Sequence, residues 1–160
     1  MKKNYIKYIR SKVGHEKIFL NFVCGALFDI KGNILLQRRG DTKRWGLPGG
    51  SIELGENFKK ALKREFQEEV GVSIMLLDLI GAYTDKIHSV KYPNGDACQP
   101  IVILYKVKTN SKIDIRKRNS ETLGLSFFAQ KQLPIITNRQ HKQMINDSFK
   151  SYSSNNARKI

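Results

Sequence analysis

Apolar positions follow two different rhythms along this chain. Tyr5, Ile6, Ile9 and Val13 recur at helical spacing and predict a short helix over residues 4–13. Residues 19–28 instead form a near-continuous run of apolar, aromatic and β-branched side chains, which reads as a buried strand. The turn residues 29–33 follow, and residues 34–38 read as the returning strand. Residues 40–50 carry Gly46, Pro48, Gly49 and Gly50 and read as a loop. A second helix is predicted over residues 57–70, stopped by Gly71. Strands are predicted over 74–83, 101–107 and 123–128, with a strong turn at Tyr92-Pro93-Asn94-Gly95-Asp96. Leu133-Pro134 breaks the chain before a closing helix over 140–152, with Met144, Ile145 and Phe149 facing inward. Strands and helices mix without regular βαβ alternation, so the expected class is a mixed-sheet α/β or α+β domain.

Length and composition narrow the picture. The 160 residues suit one domain, divided as an N-terminal helical arm (1–17), a main domain (18–150) and a C-terminal tail (151–160). The longest apolar run, residues 22–28, is far short of the roughly 20 residues of a membrane span. The basic N-terminus lacks the apolar segment of a secretory signal. Cys24 and Cys98 form neither a CxxC pair nor a disulfide framework, which fits a reducing cytoplasm. Cys24 is expected in a strand core, and no membrane partner is expected. The N-terminal helix either packs on its own sheet or serves a homodimer.

Charge adds a sharper feature. Lys and Arg number 29 against 14 Asp and Glu, a formal +15 that favours an anionic partner or records a Lys-rich genome. The bases are dispersed, but five of the 14 acids fall between Gly50 and Val72: Glu53, Glu56, Glu65, Glu68 and Glu69. At ~100° per residue, Phe58, Leu62, Phe66 and Val70 form one apolar stripe of the second helix. Glu65, Glu68 and Glu69 crowd the adjoining arc. Like charges at i, i+3 and i+4 oppose one another unless a counter-ion intervenes. Hard oxygen ligands without nearby Cys or His point to Mg²⁺ or Mn²⁺. His15, His88 and His141 are scattered and are given no metal role.

The spacing around this stripe resembles a known motif. Gly50, five residues, Glu56, seven residues, then Arg64-Glu65-Phe66-Gln67-Glu68-Glu69-Val70-Gly71-Val72 is similar to the box of the MutT/Nudix hydrolase family, G-x5-E-x7-R-E-U-x-E-E-x-G-U. The one departure is Phe66 where a bulky aliphatic is usual, which predicts altered packing and intact chemistry. The segments 35–39, 45–50, 127–128 and 133–134 also resemble elements of that family, so the likeness spans roughly residues 18–150.

The resemblance implies an α/β/α sandwich around a mixed sheet, with the box as a loop–helix–loop. It implies metal-dependent hydrolysis of a nucleoside diphosphate linked to another group: a nucleotide sugar, ADP-ribose or a (deoxy)nucleoside triphosphate. By position, Glu65, Glu68 and Glu69 are implied metal ligands, joined by the carbonyl of Gly49, and Glu56 and Arg64 an ion pair that supports them. Arg39 is similar to a phosphate-contacting arginine, and Arg38 and Lys43 are further candidates to hold the departing phosphates. The proton acceptor is a box glutamate or an acid beyond the box, namely Asp85, Asp96 or Glu121. Tyr83, Tyr92 and Trp45 are candidates to stack on a base, with Trp45 expected to anchor its loop. Two alternatives remain open: trimming a 5′-pyrophosphate from capped or triphosphorylated RNA, motivated by the basic stretch 106–118, and a non-catalytic nucleotide-sensing module.

Overall fold

The computed structural model describes residues 4–157. Three helices, α1 (Tyr5–Val13), α2 (Phe58–Glu69) and α3 (Arg139–Ala157), enclose eight strands: β1 (Ile18–Leu27), β2 (Ile34–Arg39), β3 (Trp45–Gly46), β4 (Gly49–Ser51), β5 (Met75–Tyr83), β6 (Val90–Lys91), β7 (Ala97–Lys108) and β8 (Thr122–Phe128). One sheet has the order β4-β1-β7-β5, with β6 also paired to β7, and the other β3-β2-β8. β1 and β7 run parallel and the remaining pairs antiparallel. The first sheet is therefore mixed.

Alternation along the strands builds two cores. Val23 and Leu27 of β1, Leu35 of β2 and Val107 of β7 pack with Leu62, Phe66 and Val70, the apolar stripe of α2. Cys24 and Ala26 of β1, Ile34 and Leu36 of β2, and Val102 and Leu104 of β7 face the other way, onto Met144, Ile145 and Phe149 of α3. From Val23 onward β1 is thus buried on both faces, which is why that half reads as a continuous apolar run. The result is the α/β/α sandwich that the resemblance implies.

Phe66 explains its own place in this core. Gly25 lies opposite it on β1, and a Cβ there would sit 2.6 Å from the ring and 3.3 Å from a methyl of Val107. The missing side chain makes room for a ring where an aliphatic is usual. Gly25→Ala is expected to lower folding stability by about 1–3 kcal/mol through overpacking, seen as a reduced urea midpoint with an unchanged slope.

Several boundaries differ from the sequence reading. The Gly-rich loop contains β3 and β4, strands of two and three residues that are too short for a periodic signal. β4 matters because it pairs Gly49 with Cys24, Gly50 with Val23 and Ser51 with Phe22. β7 begins at Ala97 and passes through Pro100. Opposite residues 99–101 lies a gap between the pairing of β6 and that of β5, where a residue without N–H is tolerated. α3 runs on through residues 151–157, which the sequence reading assigned to a tail; residues 158–160, with Arg158 and Lys159, lie outside the described residues, as do Lys2 and Lys3. The N-terminal helix forms as predicted, capped by the Asn4 side chain accepting from Lys7 N–H, and docks on its own chain.

Candidate active site

The Gly-Gly turn and α2 meet at a cavity of about 880 Å³ whose walls include Gly49, Gly50, Arg64, Glu65, Glu68 and Glu69. Close approach here requires glycine. Gly49 has φ +146°, and a Cβ on it would meet the Val23 carbonyl oxygen at 2.2 Å. A Cβ on Gly50 would lie 2.5–2.7 Å from the Glu65 carboxylate. Asn57 caps α2, its side chain accepting from Lys60 N–H, and so fixes where the helix starts and which way its glutamates project.

Glu69 is the most constrained carboxylate. It is 5% exposed. Its Oε2 accepts Gly49 N–H at 2.8 Å and its Oε1 accepts Gln37 Nε2 at 3.1 Å. Burial pushes its pKa up to about 8, with the Gly49 hydrogen bond opposing and the neighbouring Glu65 charge adding to the rise. Gln37, 2% exposed, also donates to the Glu121 carbonyl at 3.2 Å and the Thr122 hydroxyl at 3.1 Å. Its Oε1 has no partner.

Arg64 organises the other side. It binds Glu56 in a fork, Nε to Oε1 at 2.8 Å and Nη2 to Oε2 at 2.9 Å. Nη2 donates to the Ser51 carbonyl at 3.0 Å, Nη1 to Glu65, and Glu68 lies 3.6 Å away. The Arg64 bonds hold the Glu56 carboxyl below the usual range. Glu56 in turn accepts Glu53 N–H at 3.1 Å.

The donor set fits a hard divalent cation. Two buried carboxylates, Glu65 and Glu69, line the cavity wall, and the Glu65 charge raises the cost of charging Glu69. Glu68 joins them at 31% side-chain exposure. Among the described residues no three carboxylate, imidazole or thiol groups converge on one point. Glu65 is drawn toward Arg64 and Glu69 toward Gly49 N–H, so the expected ligand set is gathered on one wall but not focused.

The buried acid predicts a pH dependence. Folded Glu69 keeps its proton until about pH 8, whereas an ordinary glutamate loses it near 4.5. Between these values the folded state binds more protons, so its stability falls as pH rises through the window. In EDTA, the melting-temperature difference between Glu69→Gln and wild type should widen from pH 5 to pH 9. Added Mg²⁺ should stabilise the wild type most at the alkaline end.

The other expected residues divide clearly. Arg39 lines the cavity, its guanidinium held by Asp41 at 2.8 and 3.0 Å. Arg38 and Lys43 do not line it: Arg38 Nε donates to the Lys43 carbonyl at 3.0 Å and Lys43 Nζ to the Gly40 carbonyl at 2.6 Å. Arg38 Nε and Lys43 Nζ thus brace their own loop beside the cavity. Of the acids beyond the box, Glu121 lines the cavity. Asp85 caps a 3₁₀ turn through Ile87 N–H, and Asp96 pairs with His15 at 2.7 Å and with Arg10 at 3.7 Å. Tyr92 lines the cavity, whereas the Tyr83 hydroxyl donates to Asp147 and Trp45 packs edge-on against Phe128. His141 also lines the cavity. Burial pushes its pKa down to about 3, and its neutral Nδ1 accepts Leu47 N–H at 3.1 Å. Cys24 is a core residue, its thiol pushed up to about 12 by burial.

Sequence reasoning missed Gln37 and the N-terminal helix as parts of this site. The signal for Gln37 was weak: it is the first polar residue after the apolar run Ile34-Leu35-Leu36, and what sets it apart from Arg38 and Arg39 is its burial.

An α/β/α sandwich with a Gly-Gly turn and a glutamate-striped helix beside one cavity defines the loop–helix architecture of Nudix proteins. The chain belongs to that family: the NUDIX domain model matches residues 20–148. A Bacillus subtilis protein whose name proposes 8-oxo-dGTP diphosphatase activity is 31% identical over 114 residues, covering 71% of this chain and 69% of its own. The nucleoside triphosphatase NudI of Escherichia coli is 36% identical over 70 residues, 40% of this chain and 50% of its own length. The fold also matches the crystal structure of a MutT NUDIX hydrolase from Burkholderia pseudomallei, with a TM-score of 0.67, 21% identity, and coverage of 81% of this chain and 97% of that one. Among the described residues no helix is long and apolar enough to cross a membrane.

Proposed function

We propose that this Nudix protein is an Mg²⁺- or Mn²⁺-dependent pyrophosphohydrolase of nucleoside triphosphates, releasing a nucleoside monophosphate and pyrophosphate. The observation that carries the reading is the buried Glu69, beside Glu65 and Glu68 on the wall of a cavity of nucleotide size. Triphosphates are favoured over nucleotide sugars because the two sequence relatives above are named for acting on triphosphates.

Water attacks one phosphorus of the anhydride, and the bridging P–O bond breaks toward the pyrophosphate. Glu65, Glu68, Glu69 and the Gly49 carbonyl would hold a divalent cation, which would neutralise the phosphate oxygens and make water easier to deprotonate. Arg64 and Glu56 orient Glu65, and Gly49 N–H with Gln37 orients Glu69. Arg39 presents positive charge to the departing phosphates from the end of β2. The attacking water's proton passes to a box carboxylate or to Glu121, the acid outside the box that lines the cavity.

A panel of ribo- and deoxynucleoside triphosphates, ADP-ribose and nucleotide sugars, assayed with each cation for monophosphate release, tests the assignment. Fastest turnover of a triphosphate supports it. Turnover confined to ADP-ribose or sugar nucleotides overturns the substrate class.

A further inference from the structure

The N-terminal helix is a peripheral element with an unusual amount of fixing. None of its residues is buried. Yet both of its ends are tied to the main domain by polar contacts. At its start, Tyr5 N–H donates to the Glu53 carboxylate at 2.8 Å. At its end, Arg10 donates to the Ala97 carbonyl at 2.6 Å and to the Glu16 carbonyl at 2.7 Å, and faces Asp96 at 3.7 Å. Asp96 also binds His15 at 2.7 Å. Glu53 follows β4 and Ala97 opens β7, so α1 crosses the sheet where parallel β1 and β7 begin.

This placement brings Asn4 and Ile6 onto the wall of the cavity that holds the glutamates. Two kinds of side chain line the cavity. Glu65, Glu68, Glu69 and Arg64 supply a charged part. Ile6, Phe22, Val90, Tyr92, Cys98 and Pro100 supply an apolar part. Phe22 and Pro100 come from β1 and β7, which α1 crosses, and Tyr92 opens the turn that carries Asp96. A nucleotide has the same asymmetry, with anionic phosphates at one end and a flat, weakly polar base at the other.

We propose that α1 is a specificity-determining wall of the substrate site: Ile6 contacts the nucleoside, and the Arg10–Asp96 and Tyr5–Glu53 contacts hold the helix in place to do so. The inference rests on the pyrophosphohydrolase reading for the direction of the phosphates. The Glu53 contact also ties the helix to the box, because Glu53 N–H binds Glu56, Glu56 binds Arg64, and Arg64 binds Glu65. Arg10 is a positioning residue, acting through α1.

The test compares binding of AMP, GMP and inorganic pyrophosphate, each with Mg²⁺, by calorimetry on the full chain. Wild type, Ile6→Ala, Arg10→Ala and the outward-facing Tyr8→Ala are compared. Ile6→Ala should weaken the nucleoside monophosphate about fivefold or more, Arg10→Ala more strongly, and Tyr8→Ala not at all. Pyrophosphate affinity should stay within twofold in all of them, a split that general loss of structure would not produce. Ile6 is not fully buried, so its variant is expected to fold, and unchanged melting temperatures would verify this. Equal monophosphate affinity in wild type, Ile6→Ala and Arg10→Ala would overturn the proposal. So would wild-type binding of pyrophosphate without either monophosphate. The predicted binding pattern in a wild type that hydrolyses no nucleotide would support the wall and reject the hydrolase reading alone.

Discussion

Glu69→Gln is expected to lower kcat for nucleotide hydrolysis on the order of 10³-fold while leaving a folded protein. Glu69 is the carboxylate most deeply placed in the cavity wall and the one whose geometry is most fully specified. Gly49 N–H and Gln37 Nε2 donate to its two oxygens; the glutamine keeps the shape of the side chain and one acceptor for Gly49 N–H, and its NH2 finds an acceptor when Gln37 turns its unpartnered Oε1 toward it. What it loses is the negative charge, and with it both affinity for a cation and basicity. Because burial pushes the Glu69 pKa up to about 8, the charge costs folding free energy when no cation is present. The melting temperature of Glu69→Gln relative to wild type in EDTA should therefore rise between about pH 4.5 and pH 8 and level off above that. Addition of Mg²⁺ should raise the melting temperature of wild type and not of the variant. Steady-state monophosphate release and thermal melts on the same preparations check both halves. Wild-type turnover by the folded variant would remove Glu69 from the chemistry.

Arg64→Met is expected to cost about 3 kcal/mol of folding stability, because it strands charges that have left water. Glu56 and Glu65 each have side chains only 9% exposed, and Arg64 bonds to both. It also satisfies the Ser51 carbonyl, which belongs to the strand carrying the two glycines. Methionine fills much of the same volume but leaves two carboxylates without their cation. The double variant Arg64→Met/Glu56→Gln should recover part of the loss, since it removes one stranded charge. Urea unfolding of both variants measures this. A loss below about 0.5 kcal/mol, the range of an exposed pair, would show that the network is ordinary surface charge. Activity should fall as well, because Glu65 loses the partner that aims it.

The parts that were legible in the sequence are those governed by local pattern. β1 and β2 declared themselves by apolar runs, and α2 by its stripe and the Gly71 that ends it. The carboxylate cluster was visible because like charges at helical spacing need an external reason. What stayed hidden depends on contacts distant in sequence. β3 and β4 are held by pairing rather than by propensity, so nothing local marks them. Arg38 and Lys43 looked like phosphate ligands because they are cationic and adjacent to Arg39. Their side chains satisfy carbonyls within one tight loop, with Lys43 at φ +60°, and only the fold shows this. Gln37 and Glu69 are 32 positions apart, and Arg10 and Ala97 are 87 apart. Neither pairing has a periodic signature. Phe66 shows the reverse case: the sequence marked the departure, and the structure supplied its complement in Gly25.

In the proposed reaction the glutamate wall holds a divalent cation against a phosphoanhydride. This is tested most directly by monophosphate release from a nucleoside triphosphate as Mg²⁺ is removed with EDTA and then restored in excess. Release is expected to stop in EDTA and to return with the cation in wild type. In Glu69→Gln it should stay at background in both conditions. Release that continues unchanged in EDTA, or no release from any nucleotide with either Mg²⁺ or Mn²⁺, would contradict it.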